Sequence, residues 1–377
     1  MKDTLTAVLD SRHFTDEELM PFARMLAAGK TVAFPTETVY GLGADATSPA
    51  ALAAIFKAKG RPSDNPLIVH VAEVEQIREL TAEMTPLAHL LIKHFWPGPL
   101  TIILKKSDKV PGMVTAGLDT VALRMPSHPL ARRLIALAGV PVAAPSANRS
   151  GRPSPTRGTH VITDLIGRVD AIIDGGPCEV GLESTVVDAT GTIPVILRPG
   201  GITREMLEAV IRGVEVDPSL LLETVLPASS APRSPGMKYT HYAPKAKVVI
   251  AGARTAAGVA VSPEETAKML MTLWKRHLVS EKAIGILCTE ETASVLRQLL
   301  LQQCPLAVRQ HPYVKSLGSS EQPDVMAAAL FQRLREFDSE PVTLILAQRI
   351  PETAMGFALM NRLMKAAGYR QETVDKA

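Results

Sequence analysis

Residues 57–70 read KAKGRPSDNPLIVH and join the end of a helix to the start of a strand. Upstream of them, SPAALAAIF predicts a helix with Ser48 at its N-cap, Pro49 at its first position and Gly60 past its end. The apolar run LIVHV then predicts a strand, which His70 interrupts. Such a junction collects cationic and hydrogen-bonding groups where a polyanion such as a nucleoside triphosphate can bind.

The basic residues of this junction have two readings. Lys57 and Lys59 alone fit a helix C-terminus whose cations complement the helix macrodipole. Arg61, Ser63 and Asn65 follow them, however, and a histidine lies inside an apolar strand. Together these groups favour a binding site.

Length and composition set bounds on the protein. The 377 residues are too many for one ordinary core and predict two or three domains. The chain has 46% apolar and 21% charged residues, as soluble globular proteins do, and its net charge of +3 does not demand nucleic-acid binding. Three distant cysteines without metal spacing favour a reducing compartment. With no 18-residue apolar run and no signal-like N-terminus, the sequence predicts a cytoplasmic protein without membrane contact.

The chain divides into three parts by pattern. Residues 1–213 alternate short apolar strands with amphipathic helices, the first of which has a Thr15/Glu18 capping box, and this pattern predicts an α/β domain with one sheet. Residues 214–246 are rich in proline and serine and read as a linker, although SPGMKYTHYAP carries aromatics that plain linkers seldom have. Residues 247–377 resume the alternation and predict a smaller Rossmann-like domain without a dinucleotide fingerprint.

Several further segments of the first domain carry polar groups at strand ends. In TVALR, Thr120 and Arg124 lie four apart on a predicted strand and therefore point to one face. Arg124 reads either as a bidentate clamp for a ligand carboxylate or as half of a structural salt bridge. The other segments are FPTETVYGLG, PSAN, ESTVVD and LRPG. Because these groups are cations, amides and hydroxyls with no catalytic triad or metal motif, they favour phosphoryl or nucleotidyl transfer over hydrolysis.

Taken in order, these segments resemble the YrdC-like family of threonylcarbamoyl-AMP synthases in its long form, which adds a C-terminal domain after a linker. The resemblance rests on FPTETVYGLG, KAKGRPSDN, PLIVH, FWPGPLT, TVALRMP, PSAN, ESTVVD, LRPG, SPGMKYTHYAP and GFALMNRLMKAAG. It runs from about residue 14 to residue 370, and ten motifs in one order make coincidence implausible. It implies a YrdC-like twisted open sheet with helices, joined by a Pro-rich lid-like linker to the smaller domain.

The resemblance implies a reaction. L-threonine and bicarbonate form a carbamate, which attacks the α-phosphorus of ATP to give threonylcarbamoyl-adenylate and pyrophosphate. The adenylate passes to a downstream tRNA threonylcarbamoyl transferase complex, which modifies N6 of adenosine 37 in ANN-decoding tRNAs. Mg²⁺ would be held mainly by the ATP phosphates, with no metal site on the protein.

The same resemblance assigns site residues. Thr38, His70, Arg124 and Ser184 match the positions that hold L-threonine, and Lys59 and Arg61 form the basic catalytic motif. The positions that bind ATP are matched by Arg61, Asn65, Thr120, Ala144, Ser146, Arg198 and His241. Thr36 is the alternative to Thr38, since alternate residues on a strand face opposite ways.

Two other functions compete with this one. A non-enzymatic module of the same fold could bind double-stranded RNA or tRNA on a basic concave face, and weak RNA binding stays open as an additional property. Low net charge and an aromatic content of 4% argue against RNA binding as the main function. A carbamoyl transferase that uses carbamoyl phosphate would carry cysteine pairs and an acylphosphatase-like module, which the sequence does not show.

Overall fold

The computed structural model of the chain describes residues 2–222, 242–252, 261–303 and 311–374. They divide into two compact units, of which the first comprises 2–150 and 154–222. The second comprises 151–153 and the described residues from 242 onward. Most of the predicted linker, including Tyr239 and His241, lies outside the described residues, so its bounds at 214 and 246 stay predictions.

The first unit is built on one mixed sheet. Its strands are β1 (Leu5–Val8), β2 (Val32–Phe34), β3 (Gly41–Asp45), β4 (Ile68–His70), β5 (Leu100–Lys105), β6 (Thr120–Arg124), β7 (Val142–Ala143), β8 (Ala171–Asp174), β9 (Thr185–Asp188), β10 (Val195–Arg198) and β11 (Glu215–Val216). They lie in the order β1-β8-β2-β3-β7-β4-β6-β5-β9-β10-β11. The sheet contains both parallel pairs, such as β4 with β6, and antiparallel pairs, such as β5 with β6.

Helices cover this sheet and bury its apolar side chains. They are α1 (Asp16–Ala27), α2 (Pro49–Lys59), α3 (Ile77–Leu80), α4 (Pro86–Phe95), α5 (Gly112–Thr115), α6 (Pro129–Ala138), α7 (Gly158–Leu165) and α8 (Arg204–Glu208), with 3₁₀ turns at Val74–Gln76 and Pro218–Leu220. Two large clusters form the core, one lined by α1 and α6 and the other by α2 and α4. Burial of these apolar faces is the main stabilising contribution.

The predicted start of α1 and both predicted ends of α2 are confirmed. Thr15 accepts a hydrogen bond from the Glu18 amide while the Glu18 side chain accepts one from the Thr15 amide, so the capping box is complete. Ser48 accepts from the Ala51 amide at the start of α2, and Gly60 ends that helix at a φ of 62°. The residues 57–70 therefore do join a helix to a strand.

Two strands of the first unit differ from the sequence interpretation. The glycine-rich stretch after FPTET forms β3, which pairs antiparallel with β2. A Cβ at Gly43 would lie 2.6 Å from Phe34 Cε1 and 2.7 Å from Val142 Cγ1, so only glycine permits this packing. The second strand is β11, which pairs with β10 although the sequence interpretation places it in the linker.

The second unit contains a parallel sheet with helices. Its strands are β12 (Lys247–Ala251), β13 (Ile284–Cys288), β14 (Tyr313–Ser316), β15 (Leu344–Gln348) and β16 (Gln371–Glu372), in the order β14-β13-β15-β12-β16. The helices are α9 (Pro263–His277), α10 (Glu290–Gln303), α11 (Pro323–Phe337) and α12 (Met355–Ala367). Every strand pair is parallel. This architecture confirms the predicted α/β fold with a Rossmann-like C-terminal part.

No helix among the described residues is both long enough and apolar enough to span a membrane.

Candidate active site

One face of the first unit's sheet carries a small apolar cluster, which we call the floor. The floor consists of five buried side chains from five strands: Ile68, Ile103, Ala122, Val186 and Leu197. The strand register places Ile68 beside Ala122 and Ala122 beside Ile103, so these three side chains share one face.

Polar residues lie next to the floor on two of the same strands, β4 and β6. His70 lies two residues beyond Ile68, and Thr120 and Arg124 lie two residues before and after Ala122. Because side chains alternate along a strand, all three point to the face of the floor. Thr120 and Arg124 therefore flank the floor at opposite ends of β6.

Arg124 is buried at the end of β6 and meets a carboxylate of the chain itself. Its Nη2 lies 2.7 Å from Glu37 Oε1, and both side chains are almost fully buried. The two groups are not aligned for a hydrogen bond, however, and the Nε of Arg124 makes only a long 3.4 Å bond to the Gly98 oxygen. Both interpretations of Arg124 thus have support, since it forms an ion pair and retains donor capacity.

His70 is paired with Arg124 across β4 and β6. Burial, together with the nearby Arg124 charge, lowers the pKa of His70 from 6.5 to about 3. His70 is therefore a neutral imidazole at physiological pH, and its buried Nδ1 makes no hydrogen bond with the described residues. Such an atom is available to a ligand.

Ser184 and Arg198 are held together at the same end of the sheet. Arg198 Nε donates to the Ser184 oxygen at 3.0 Å, and its Nη2 donates to Ser184 Oγ at 3.1 Å. The hydroxyls of Ser184 and Thr101 lie 2.7 Å apart. Two residues assigned to different ligands, threonine for Ser184 and ATP for Arg198, are therefore in direct contact.

Lys59 and Ser146 meet at the end of α2. The Lys59 ammonium donates to the main-chain oxygens of Ser146 and Asn148, the latter at 2.6 Å. Ser146 Oγ donates in turn to Asn148 Oδ1 at 2.5 Å. Lys59 thus fixes the PSAN loop, residues 145–148, rather than only complementing the helix dipole.

Arg61 and Asn65 lie in the loop between α2 and β4. The Nη2 of Arg61 donates to the main-chain oxygens of Asn65 and Pro66 at 3.2 and 3.3 Å. Asn65 is 1% exposed, and its Oδ1 has no hydrogen-bond partner among the described residues. The last ATP-assigned position on the sheet, Ala144, is buried, and its amide donates to the Ile68 oxygen at 2.9 Å.

Thr36 and Thr38 do not face opposite ways, contrary to the expectation for alternate residues of a strand. Both residues follow β2 and lie outside any strand, with Thr38 in a bend. Their hydroxyls lie 2.8 Å apart, and Thr36 also donates to the Val39 oxygen at 2.6 Å. The two side chains act as one buried hydrogen-bonded pair, with Thr36 fixed to the main chain.

Sequence reasoning gave no role to three residues of this region. The first is Glu37, within the FPTET motif. It pairs with Arg124, which is distant in the sequence, so the contact cannot be predicted from residue spacing. Thr101 contacts Ser184, and its polar side chain within the apolar strand β5 was the available signal. The third is His128, whose pKa is lowered by burial against the opposing effects of Glu37 and Glu179.

Within the described ranges, no group of three or more acidic, histidine or cysteine side chains is arranged to hold a metal ion. The free thiol of Cys178 is buried, and burial raises its pKa far above the usual value, so it is not a reactive thiolate.

Comparisons with known proteins agree with this architecture. A family model described as "Telomere recombination" matches residues 24–200, and one described as "Threonylcarbamoyl-AMP synthase, C-terminal domain" matches residues 202–368. A threonylcarbamoyl-AMP synthase of Bacillus subtilis is 47% identical over 96% of this chain and 96% of its own length. One of Pyrococcus abyssi is 42% identical over 97% of this chain and 99% of its own.

A solved structure extends the comparison to the fold. The crystal structure of P. abyssi Sua5 complexed with L-threonine matches with a TM-score of 0.84 and 40% identity, covering 98% of this chain and 99% of that chain. Both the sequence and the fold therefore match over nearly the full length. The chain belongs to the threonylcarbamoyl-AMP synthase family of enzymes.

Proposed function

We propose that this protein forms L-threonylcarbamoyl-adenylate and diphosphate from L-threonine, bicarbonate and ATP. The observation that carries the proposal is the pair His70 and Arg124, which are buried side by side at the end of the floor and have polar atoms that make no hydrogen bond with the described residues. A relative of the same fold is described in complex with L-threonine. An arginine whose ion-paired Nη2 makes no hydrogen bond with the described residues suits the amino-acid carboxylate, and a neutral imidazole suits a hydroxyl.

The remaining polar residues fit a nucleotide. We propose that Arg61, Asn65, Thr120, Ala144, Ser146 and Arg198 bind ATP, as does His241, which lies outside the described residues. Arg61 and Arg198 supply positive charge for the phosphates, while Asn65 has a buried amide oxygen that accepts no hydrogen bond from the part of the chain that the structure describes. Lys59 acts indirectly, because its ammonium holds the Ser146 loop.

The site favours a reaction that depends on positioning and charge. The carbamate oxygen of threonine attacks the α-phosphorus of ATP, and pyrophosphate leaves. Arginines neutralise negative charge that moves onto the leaving group, and burial excludes water that would hydrolyse the mixed anhydride. We propose that Mg²⁺ arrives on the triphosphate, since this ion binds substrate phosphates and keeps several waters.

The chemistry of the adenylate product indicates which enzyme must use it next. We propose that a tRNA threonylcarbamoyl transferase complex consumes the adenylate to make N6-threonylcarbamoyladenosine at position 37 of ANN-decoding tRNAs. A labile acyl-adenylate requires such an acceptor reaction soon after release, because water competes for it.

The test is an assay of the purified full chain with labelled ATP, bicarbonate, Mg²⁺ and each amino acid in turn. The proposal expects pyrophosphate and a labile adenylate only when threonine and bicarbonate are both present. A rate of ATP turnover that does not depend on threonine would contradict the proposal. Salt-sensitive RNA binding without any turnover would instead favour a binding module.

A further inference from the structure

Glu37 is a buried carboxylate that the assignments above leave without a role. Its side chain is 5% exposed, and that of Arg124 is 4% exposed. Although Arg124 Nη2 lies 2.7 Å from Glu37 Oε1, neither oxygen of Glu37 accepts a hydrogen bond from the described residues. Among the described residues, Glu37 is thus held by the charge of Arg124, and its two oxygens accept no hydrogen bond.

A buried carboxylate of this kind requires hydrogen-bond donors. An ionised carboxylate has about four acceptor sites. Burial of a charge is costly unless it is paired and hydrogen-bonded, and native proteins leave few buried polar groups unsatisfied. The described groups near Glu37 do not meet this need. The Nδ1 of His128 makes no hydrogen bond with the described residues, and Cys178 offers only a weak thiol donor.

The position of Glu37 suggests what the missing donor is. Glu37 and Arg124 place opposite charges next to each other beside His70. An α-amino acid carries an ammonium and a carboxylate on the same carbon, also with opposite charges. The ammonium has three N–H donors, which match a carboxylate that lacks them.

We propose that Glu37 binds the α-ammonium of L-threonine while Arg124 binds its α-carboxylate. This inference rests on the proposed function and adds a residue to its substrate site. Two charge-assisted contacts fix the orientation of the amino acid, so that its nitrogen faces a defined place before it reacts with bicarbonate. The pair also makes the site bind α-amino acids more tightly than acids that lack the ammonium.

The experiment compares two ligands on the full-length protein by calorimetry. One ligand is L-threonine, and the other is the hydroxy acid in which a hydroxyl replaces the ammonium, measured by displacement if its binding is weak. Glu37→Gln keeps the size of the side chain and removes its charge. The exposed neighbour Glu179, which also acts on His128, provides the control Glu179→Gln.

The expected result is selective. Glu37→Gln lowers the affinity for threonine by about tenfold to hundredfold and changes the affinity for the hydroxy acid by less than about twofold. Glu179→Gln changes neither. Arg124→Gln weakens both ligands, because each has a carboxylate.

Equal losses for the two ligands in Glu37→Gln would show that Glu37 only positions Arg124, and no loss would exclude any role in binding. If this variant does not fold, Glu37→Asp takes its place, because it keeps the carboxylate but moves it away from the ligand by one methylene. Its affinity for threonine must then fall while its affinity for the hydroxy acid stays unchanged. Wild-type protein that binds no threonine would overturn the proposed function instead, so the two failures are distinct.

Discussion

The ammonium of Lys59 lies 2.6 Å from the main-chain oxygen of Asn148, which joins the end of α2 to the loop after β7. The same ammonium donates to the Ser146 oxygen, and the Ser150 amide donates back to the Lys59 oxygen at 3.0 Å. A lysine that the sequence places at a helix end therefore organises a loop assigned to ATP. The residue is buried, so these contacts are protected from solvent.

Lys59→Met is expected to lower the free energy of unfolding by about 1–3 kcal/mol, because it leaves buried carbonyl oxygens without a donor. It should also weaken ATP binding, since the Ser146 loop loses its anchor. Urea unfolding and nucleotide titration measure the two effects. Lys57→Met on the exposed side of α2 is the matched control and should change neither. Equal stability of the two variants would contradict the role of Lys59.

Arg124→Gln is expected to reduce threonine affinity by about tenfold to hundredfold, the effect of losing a charged hydrogen bond. The control is Arg133→Gln, because Arg133 forms an exposed ion pair with Asp16 whose loss changes little. Calorimetric titration with L-threonine provides the measurement. If both arginine variants bind threonine like the wild type, Arg124 is a purely structural partner of Glu37.

Gly200→Ala is expected to destabilise the protein and to raise the KM for threonine. A Cβ at this position would lie 2.3 Å from the Glu183 oxygen and 2.4 Å from the Thr185 amide nitrogen, which belong to the backbone on either side of Ser184. The overlap should cost about 1–3 kcal/mol or more. Gly191→Ala, where no atom lies within 4 Å, is the control in both thermal unfolding and kinetics. A Gly200→Ala protein with unchanged KM would separate this glycine from the site.

Stability should fall in acid because of His70. The pKa of the folded state is about 3 and that of the unfolded state is 6.5, so below pH 6.5 the unfolded chain binds a proton that the folded chain excludes. The contribution of His70 to the free energy of unfolding is therefore fully present above pH 6.5. It decreases toward pH 3 by at most about 1.4 kcal/mol per pH unit. Urea unfolding of wild type and His70→Gln at several pH values isolates this contribution. A difference between them that does not change with pH would contradict a buried neutral histidine.

The sequence predicted the parts of the fold that carry local signals. Ser48, Pro49 and Gly60 mark the ends of α2 by capping chemistry, which needs no tertiary context. The strand β3 was missed, because its glycines have low strand propensity and are required only by the close approach of Phe34. Tertiary packing, which a sequence does not display, decided that element.

The candidate site was also predictable only in part, where its residues carry a local sequence signal. His70 and Arg124 were recognisable because polar residues within apolar strands need partners, and the structure places them side by side. The partner Glu37 was not recognisable, since the contact depends on how the bend after β2 approaches the end of β6. Thr36 and Thr38 were misread because a strand was assumed where the chain bends.

The central claim is that this site joins threonine, bicarbonate and ATP. The most direct measurement is mass spectrometry of the adenylate formed by the purified chain from isotopically labelled bicarbonate, with and without L-threonine. The account predicts a threonine-dependent adenylate that carries the bicarbonate label, released together with pyrophosphate. An unlabelled threonyl-adenylate, or nucleotide turnover without threonine, would contradict it.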